Sequence, residues 1–176
     1  SYTVTSSPGG LMAIGAGSPL TVTGLANGIV YSFTVVATNS RGNSMPSVPS
    51  NSVMPTTTIS IGDAAITEGN TGTTNVTFTA TLAGPVQGGF TVPVSSANGT
   101  ATAGSDYTAI AAGSTLTFTG TVGETRTVSV AVTGDTVLEP DETFTVQLGA
   151  PSTAGVTVSA GRGTGTITND DGASLT

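Results

Sequence analysis

The stretch TGDTVLEPDETF (133–144) places Asp135, Glu139, Asp141 and Glu142 within eight positions, although the chain of 176 residues holds only 10 acidic side chains. The other six are Asp63, Glu68, Asp106, Glu124, Asp170 and Asp171. Crowded carboxylates repel and raise one another's pKa values unless a cation compensates them. There is no His and no Cys. Zinc sites built from those ligands are therefore excluded, as are the Ser-His and Cys-His pairs of nucleophilic hydrolases. A site made only of hard oxygen ligands favours Ca²⁺. Mg²⁺ fits less well, because it prefers sites in which it keeps several waters.

Whether these acids meet depends on the elements that carry them. Val76, Phe78, Ala80 and Leu82 alternate with Thr, as do Val128, Val130 and Val132, and then Phe144, Val146 and Leu148. A period of two with Thr as the outward partner is the pattern of half-buried strands. Turn-forming clusters such as AGPVQGG, SANGTATAGSD and GAPSTAG punctuate the runs. No stretch carries a helical period. The fold class expected is all-β: two immunoglobulin-like antiparallel β-sandwich domains in tandem, the first incomplete.

For the second domain the pattern predicts strands at about 57–63, 74–83, 90–97, 106–120, 124–133, 142–150 and 162–169. Successive strands of an antiparallel sandwich alternate in direction, so each connection falls at one pole or the other. Asp170 and Asp171 follow the last strand. The same parity sends the connections holding Glu68, Asp106, and Asp135 with Glu139, Asp141 and Glu142 to that same pole. Only Asp63, within a strand, and Glu124, on a hairpin at the opposite pole, fall outside. Eight of the ten acids thus form an anion-rich cup. Acids serving only to keep a low-charge protein soluble need not gather in this way. A glycosidase built on paired carboxylates would need a cleft with aromatic platforms, and this part of the chain has no Trp and one Tyr.

Composition narrows the partners. Charged residues are 7% of the chain, against about 25% in an ordinary soluble domain. The net charge is -7 and Lys is absent, which argues against nucleic acid, whose phosphates call for basic residues. No apolar run approaches the roughly 20 residues that span a bilayer. No signal peptide or lipidation motif is present, so an export signal is expected outside this sequence. Richness in Gly, Ser, Thr and Ala suits a secreted, extracellular bacterial surface protein. NVT at Asn75 and NGT at Asn98 are glycosylation sequons.

Residues 1 to 62 hold no acid at all, and SVPSNSVMPTTT (47–58) precedes a new strand, TISI. The boundary is therefore set near Pro55: a partial domain at 1–55, a second at 56–172, and the start of a linker to a following domain at 173–176. In the first, Leu25, Gly28 and Tyr31 stand at the spacing of a tyrosine corner, and LANGIVYSFTVVATNSRGNS reads as the penultimate strand of a sandwich. This segment resembles the later part of a fibronectin type III domain, without its two opening strands. Val4, Leu20, Val22, Phe33 and Val35 would then face an empty half-core with an unpaired strand edge. Upstream residues of the same polypeptide or a strand from a neighbouring copy are expected to fill it. The latter would make a head-to-tail extracellular filament.

In the second domain ITEGN, GTATAGSDYTA, STLTFTGTVGETRTVSVAVTGDTVLEPDETFTVQL and GTGTITNDD occur in this order. These motifs, spanning about 57–171, resemble the Calx-beta domain of sodium–calcium exchangers and large adhesion proteins. The resemblance implies calcium ligands at Glu68, Asp106, Asp135, Glu139, Asp170 and Asp171, with Glu142 a looser match. Gly134 and Gly172 stand where tight-binding members tend to carry further acids, which implies fewer ions or weaker affinity. The function expected is non-catalytic: a structural or adhesive segment, with a calcium site that stiffens the junction to whatever follows, because the first domain joins at the opposite pole. A carbohydrate-binding or calcium-sensing module is the alternative. Expected partners are neighbouring domains, neighbouring copies in a fibre, or a cell-surface or matrix ligand, with no nucleic acid and no membrane insertion.

Overall fold

The computed structural model describes residues 1–172; the linker start expected at 173–176 lies outside the described residues. Every regular element is a strand, and no helix among the described residues is long and apolar enough to cross a membrane. The chain divides into two compact units, Ser1–Thr56 and Thr57 onward.

The first unit is one antiparallel sheet in the order β2-β1-β3-β4, from β1 (Tyr2–Ser7), β2 (Met12–Gly15), β3 (Ser32–Asn39) and β4 (Gly42–Asn43). Tyr31 is buried and its hydroxyl accepts the Ala26 N–H at 3.0 Å, so the expected tyrosine corner is formed. The Ser- and Pro-rich stretch after β4 proves to be the sheet's edge and not slack chain. Ser44, Ser47 and Ser50 donate their N–H groups to Ala37, Val35 and Phe33. Their hydroxyls accept the N–H groups of the same three residues at 3.0 Å. The segment advances three residues for every two of β3, and Pro46 and Pro49 fall where no donor is needed. One edge is thereby closed. The sheet itself stays thinly covered: among its large apolar side chains only Tyr31 is buried, while Ile14 is 70% exposed and Met12 65%. Tyr2, Val4, Leu20 and Val35 line an open cleft; Val22 and Phe33 of the half-core expected from the sequence are not among its lining residues.

The second unit is a sandwich. Its strands are β5 (Thr57–Ile61), β6 (Ala64–Thr67), β7 (Thr73–Leu82), β8 (Phe90–Asn98), β9 (Thr115–Phe118), β10 (Thr125–Thr133), β11 (Glu142–Leu148), β12 (Val156–Ala160) and β13 (Arg162–Thr168). One sheet runs β10-β7-β5-β12, the other β6-β13-β11-β8-β9. Alternation puts Ile59, Phe78, Val130, Val92, Phe144 and Ile167 into one core. Phe78 meets Phe144 edge-on at 5.8 Å. A Cβ on Gly165 would sit 2.6 Å from the Phe144 ring, so glycine there lets the ring lie against the backbone of β13.

Two expectations are corrected. The first and last strands each break and change sheets. β5 pairs antiparallel with β7 and parallel with β12, whereas β6 and β13 pair with each other, parallel, in the other sheet. Asp63 sits in the first break, outside any strand, and its Oδ1 accepts the Thr164 N–H at 2.7 Å. The strand expected at 106–120 exists only as β9. Tyr107 makes an isolated bridge to Val132, and the Ala- and Gly-rich chain after it has one large apolar side chain, the half-buried Ile110, too few to hold a sheet face.

Candidate metal centre

Four connections bring the acids together: the turn after β6, the loop between β8 and β9, the β10–β11 connection, and the chain leaving β13. Glu68, Asp170 and Asp171 each offer an oxygen such that all three lie within 4.8 Å of one another, and Asp106, Glu139 and Glu142 form a second such triad.

Glu68 is 5% exposed, and its carboxylate has no hydrogen-bond partner among the described residues. Burial pushes its pKa up, and the charges of Asp135, Glu139, Asp171 and Asp170 push in the same direction. Carboxylates that push one another's pKa values up in this way are relieved by a bound cation. Glu142 is pushed up as well, by burial, by the charge of Asp106 and a hydrogen bond shared with it, and by Glu139. Glu139 thus acts on both triads, which makes them one electrostatic unit.

The remaining contacts set the walls. Asp170 accepts the Gly69 N–H at 3.1 Å, while Asn70 donates its amide to Asp171 Oδ1 at 2.5 Å. Asp171 Oδ2 and Asn169 Oδ1 are shut off from solvent and have no partner among the described residues. Asp106 Oδ2 accepts the Thr102 N–H at 2.6 Å, and Asp135 Oδ1 the Val137 N–H at 2.7 Å. Six of the eight expected residues therefore fall in the triads, and Asp135 borders the first through its charge on Glu68. Asp141 stands apart: it is exposed, and its Oδ1 accepts the Asn169 N–H at 3.1 Å. Asn70 and Asn169 were not expected. Their one signal is that each lies directly beside the acid motifs, in EGN and NDD.

Gly134 is packed so closely against the Glu68–Gly69 turn that a Cβ would lie 2.1 Å from the Gly69 carbonyl oxygen. No acid fits there without moving that turn. A Cβ on Gly172 meets nothing within 4 Å. Both sequon asparagines are exposed; Asn98 also accepts the Ala103 N–H at 3.0 Å and the Tyr107 hydroxyl at 2.7 Å through its amide oxygen.

The model of the Calx-beta domain matches residues 54–171, more than half of the chain. The chain belongs to the Calx-beta family. Among solved structures, the apo-form Calx CBD1 domain is 24% identical with a TM-score of 0.58, over 66% of this chain and 99% of that one; this likeness speaks for the fold. CBD12 from CALX1.2 is 25% identical at a TM-score of 0.56, and the match covers 65% of this chain and 46% of that one. CBD12 of CALX1.1, described as a calcium binding domain, is 25% identical at 0.55, with 64% and 44% covered. No curated protein matches. The Calx-beta unit of this chain offers oxygen donors only, and both the buried Glu68 and the orphaned Asp171 oxygen fit a calcium ion.

Proposed function

We propose that the second unit is a calcium-binding module in a non-catalytic, extracellular structural or adhesive protein. Glu68, Asp170 and Asp171, with Asp135 beside them, would hold one ion; Asp106, Glu139 and Glu142 would hold a second or share the first. The observation that carries this reading is Glu68, a residue 5% exposed whose carboxylate has no hydrogen-bond partner among the described residues and four other acids acting on it. Bound calcium would join the turn after β6 to the chain leaving β13, about a hundred residues apart in sequence, and so stiffen the C-terminal junction. Thermal melts with millimolar Ca²⁺ and with chelator, together with calorimetric titration, test the proposal. A higher melting temperature in calcium supports it, since binding only the folded state stabilises that state. Identical melts with no heat of binding overturn it.

The first unit favours a second, separate reading. Its apolar cleft and the uncovered side chains of β2 suit completion by further strands, in the manner of a fibronectin type III sandwich. Those strands would come from the same polypeptide or, as a filament, from a neighbouring copy. Light scattering on the purified chain separates a monomer from a concentration-dependent polymer.

A further inference from the structure

The loop that carries Asp106 is tied down by two residues that are not acids. Asn98 Oδ1, at the end of β8, accepts both the Ala103 N–H at 3.0 Å and the Tyr107 hydroxyl at 2.7 Å. One oxygen therefore fixes the middle of the 99–106 loop and its far end. Tyr107 is 1% exposed, and its ring stacks on Phe144 at 4.3 Å with 15° between the planes. Phe144 lies two residues beyond Glu142 on β11. The Asp106 carbonyl accepts the Thr133 N–H at 2.8 Å, and Thr108 donates to the Ala131 carbonyl at 2.8 Å, so the same segment is pinned to the end of β10, just before Asp135. Asp106, Glu142 and Asp135 thus hang on three chain segments that meet at one buried tyrosine.

We propose that Asn98 and Tyr107 are positioning residues for the acid site: the amide oxygen holds the hydroxyl, and through it the ring that sets where Asp106 and Glu142 stand. Neither side chain touches the ion in this scheme. The inference rests on the calcium reading above.

The test compares calcium affinity with the stability of the calcium-free chain. Tyr107→Phe keeps the ring stack and removes only the hydroxyl. Asn98→Ala removes the acceptor, and Asn98→Asp restores an oxygen in the same place. Both Tyr107→Phe and Asn98→Ala should weaken calcium binding by roughly tenfold, as loss of outer-shell partners commonly does, while Asn98→Asp should bind at least as well as the native chain. Calorimetry gives the affinities, and melts in chelator give the stability of the calcium-free fold. Lower melting temperatures with unchanged affinity would make both residues merely structural and overturn the proposal. An Asn98→Asp variant as weak as Asn98→Ala would overturn it too. Absence of calcium binding by the native chain is a separate outcome: it removes the calcium reading itself, and this inference with it.

Discussion

Glu124 and Glu68 belong to the same sandwich and live under opposite conditions. Glu124 closes the hairpin between β9 and β10. It accepts the N–H groups of Thr119, Gly120 and Thr121 and the Thr119 hydroxyl, and it pairs with Arg126. Those hydrogen bonds, the Thr119 N–H first, hold its pKa down at about 2 despite the opposing effect of desolvation. Glu68 is a buried residue with no donor to its carboxylate among the described residues and four acids acting on it, and its pKa is pushed up. The comparison teaches how to tell a carboxylate that builds a fold from one that waits for a ligand: count the donors aimed at it.

The largest effect should come from calcium acting through Glu68. With free calcium a hundredfold above Kd, linkage adds about 2.7 kcal/mol, roughly a 10 °C rise in melting temperature for a domain of this size. Glu68→Gln should abolish most of that rise and, by removing a buried charge, raise the melting temperature in chelator. A variant that still responds to calcium like the native chain would break the contrast between the two glutamates.

Next comes the exchange of roles. Glu139→Ala should weaken calcium binding by roughly tenfold, because affinity follows ligand charge, and Glu124→Ala should leave affinity unchanged while lowering the melting temperature by a few degrees. Calorimetry and melts on the two variants check this together.

Acid should separate the poles as well. Glu68 and Glu142 have folded pKa values raised above 4.5, so without calcium they destabilise the fold at neutral pH, and that penalty is relieved as pH falls through their raised values. Glu124 is depressed from 4.5 to about 2, so its contribution is present above 4.5 and lost as pH falls toward 2. In chelator the melting temperature should rise on mild acidification and fall in strong acid. Saturating calcium should remove the rise, since it binds the ionised carboxylates. Melts across pH with and without chelator decide it.

The smallest effect sharpens the cup itself. Asp141→Asn should change calcium affinity by less than about twofold, because an amide oxygen can still accept the Asn169 N–H. A large loss in titration would move Asp141 into the ligand set.

Much of the cup was legible because strand parity is counted from alternation and turns alone, and neither depends on which sheet a strand joins. For the same reason the two sheet switches were not legible. Ile59 and Ile61 alternate in the same way whether the chain continues in one sheet or crosses at Gly62 and Asp63. The strand expected at 106–120 failed for a different cause: alternation in YTAIAAGS marks one buried tyrosine and one half-covered isoleucine, too few to hold a face. The serine edge of the first unit was hidden because its three-residue step has no hydrophobic period. Partner counts stayed invisible throughout. Glu68 and Glu124 are the same letter, and only the folded backbone shows which one has donors.

The crossing of both terminal strands between sheets bears on how the second unit would respond to being pulled. β5 lies parallel to β12, and β6 parallel to β13, so the entering and leaving strands are neighbours that run in the same direction. Tension applied before Thr57 and after Thr168 would act along these pairs and load their hydrogen bonds together, in shear. A hairpin at the same positions would open like a zipper, one bond at a time. The shared loading favours a high unfolding barrier and a slow unfolding rate under force, the quantity that governs how long a tensioned protein survives.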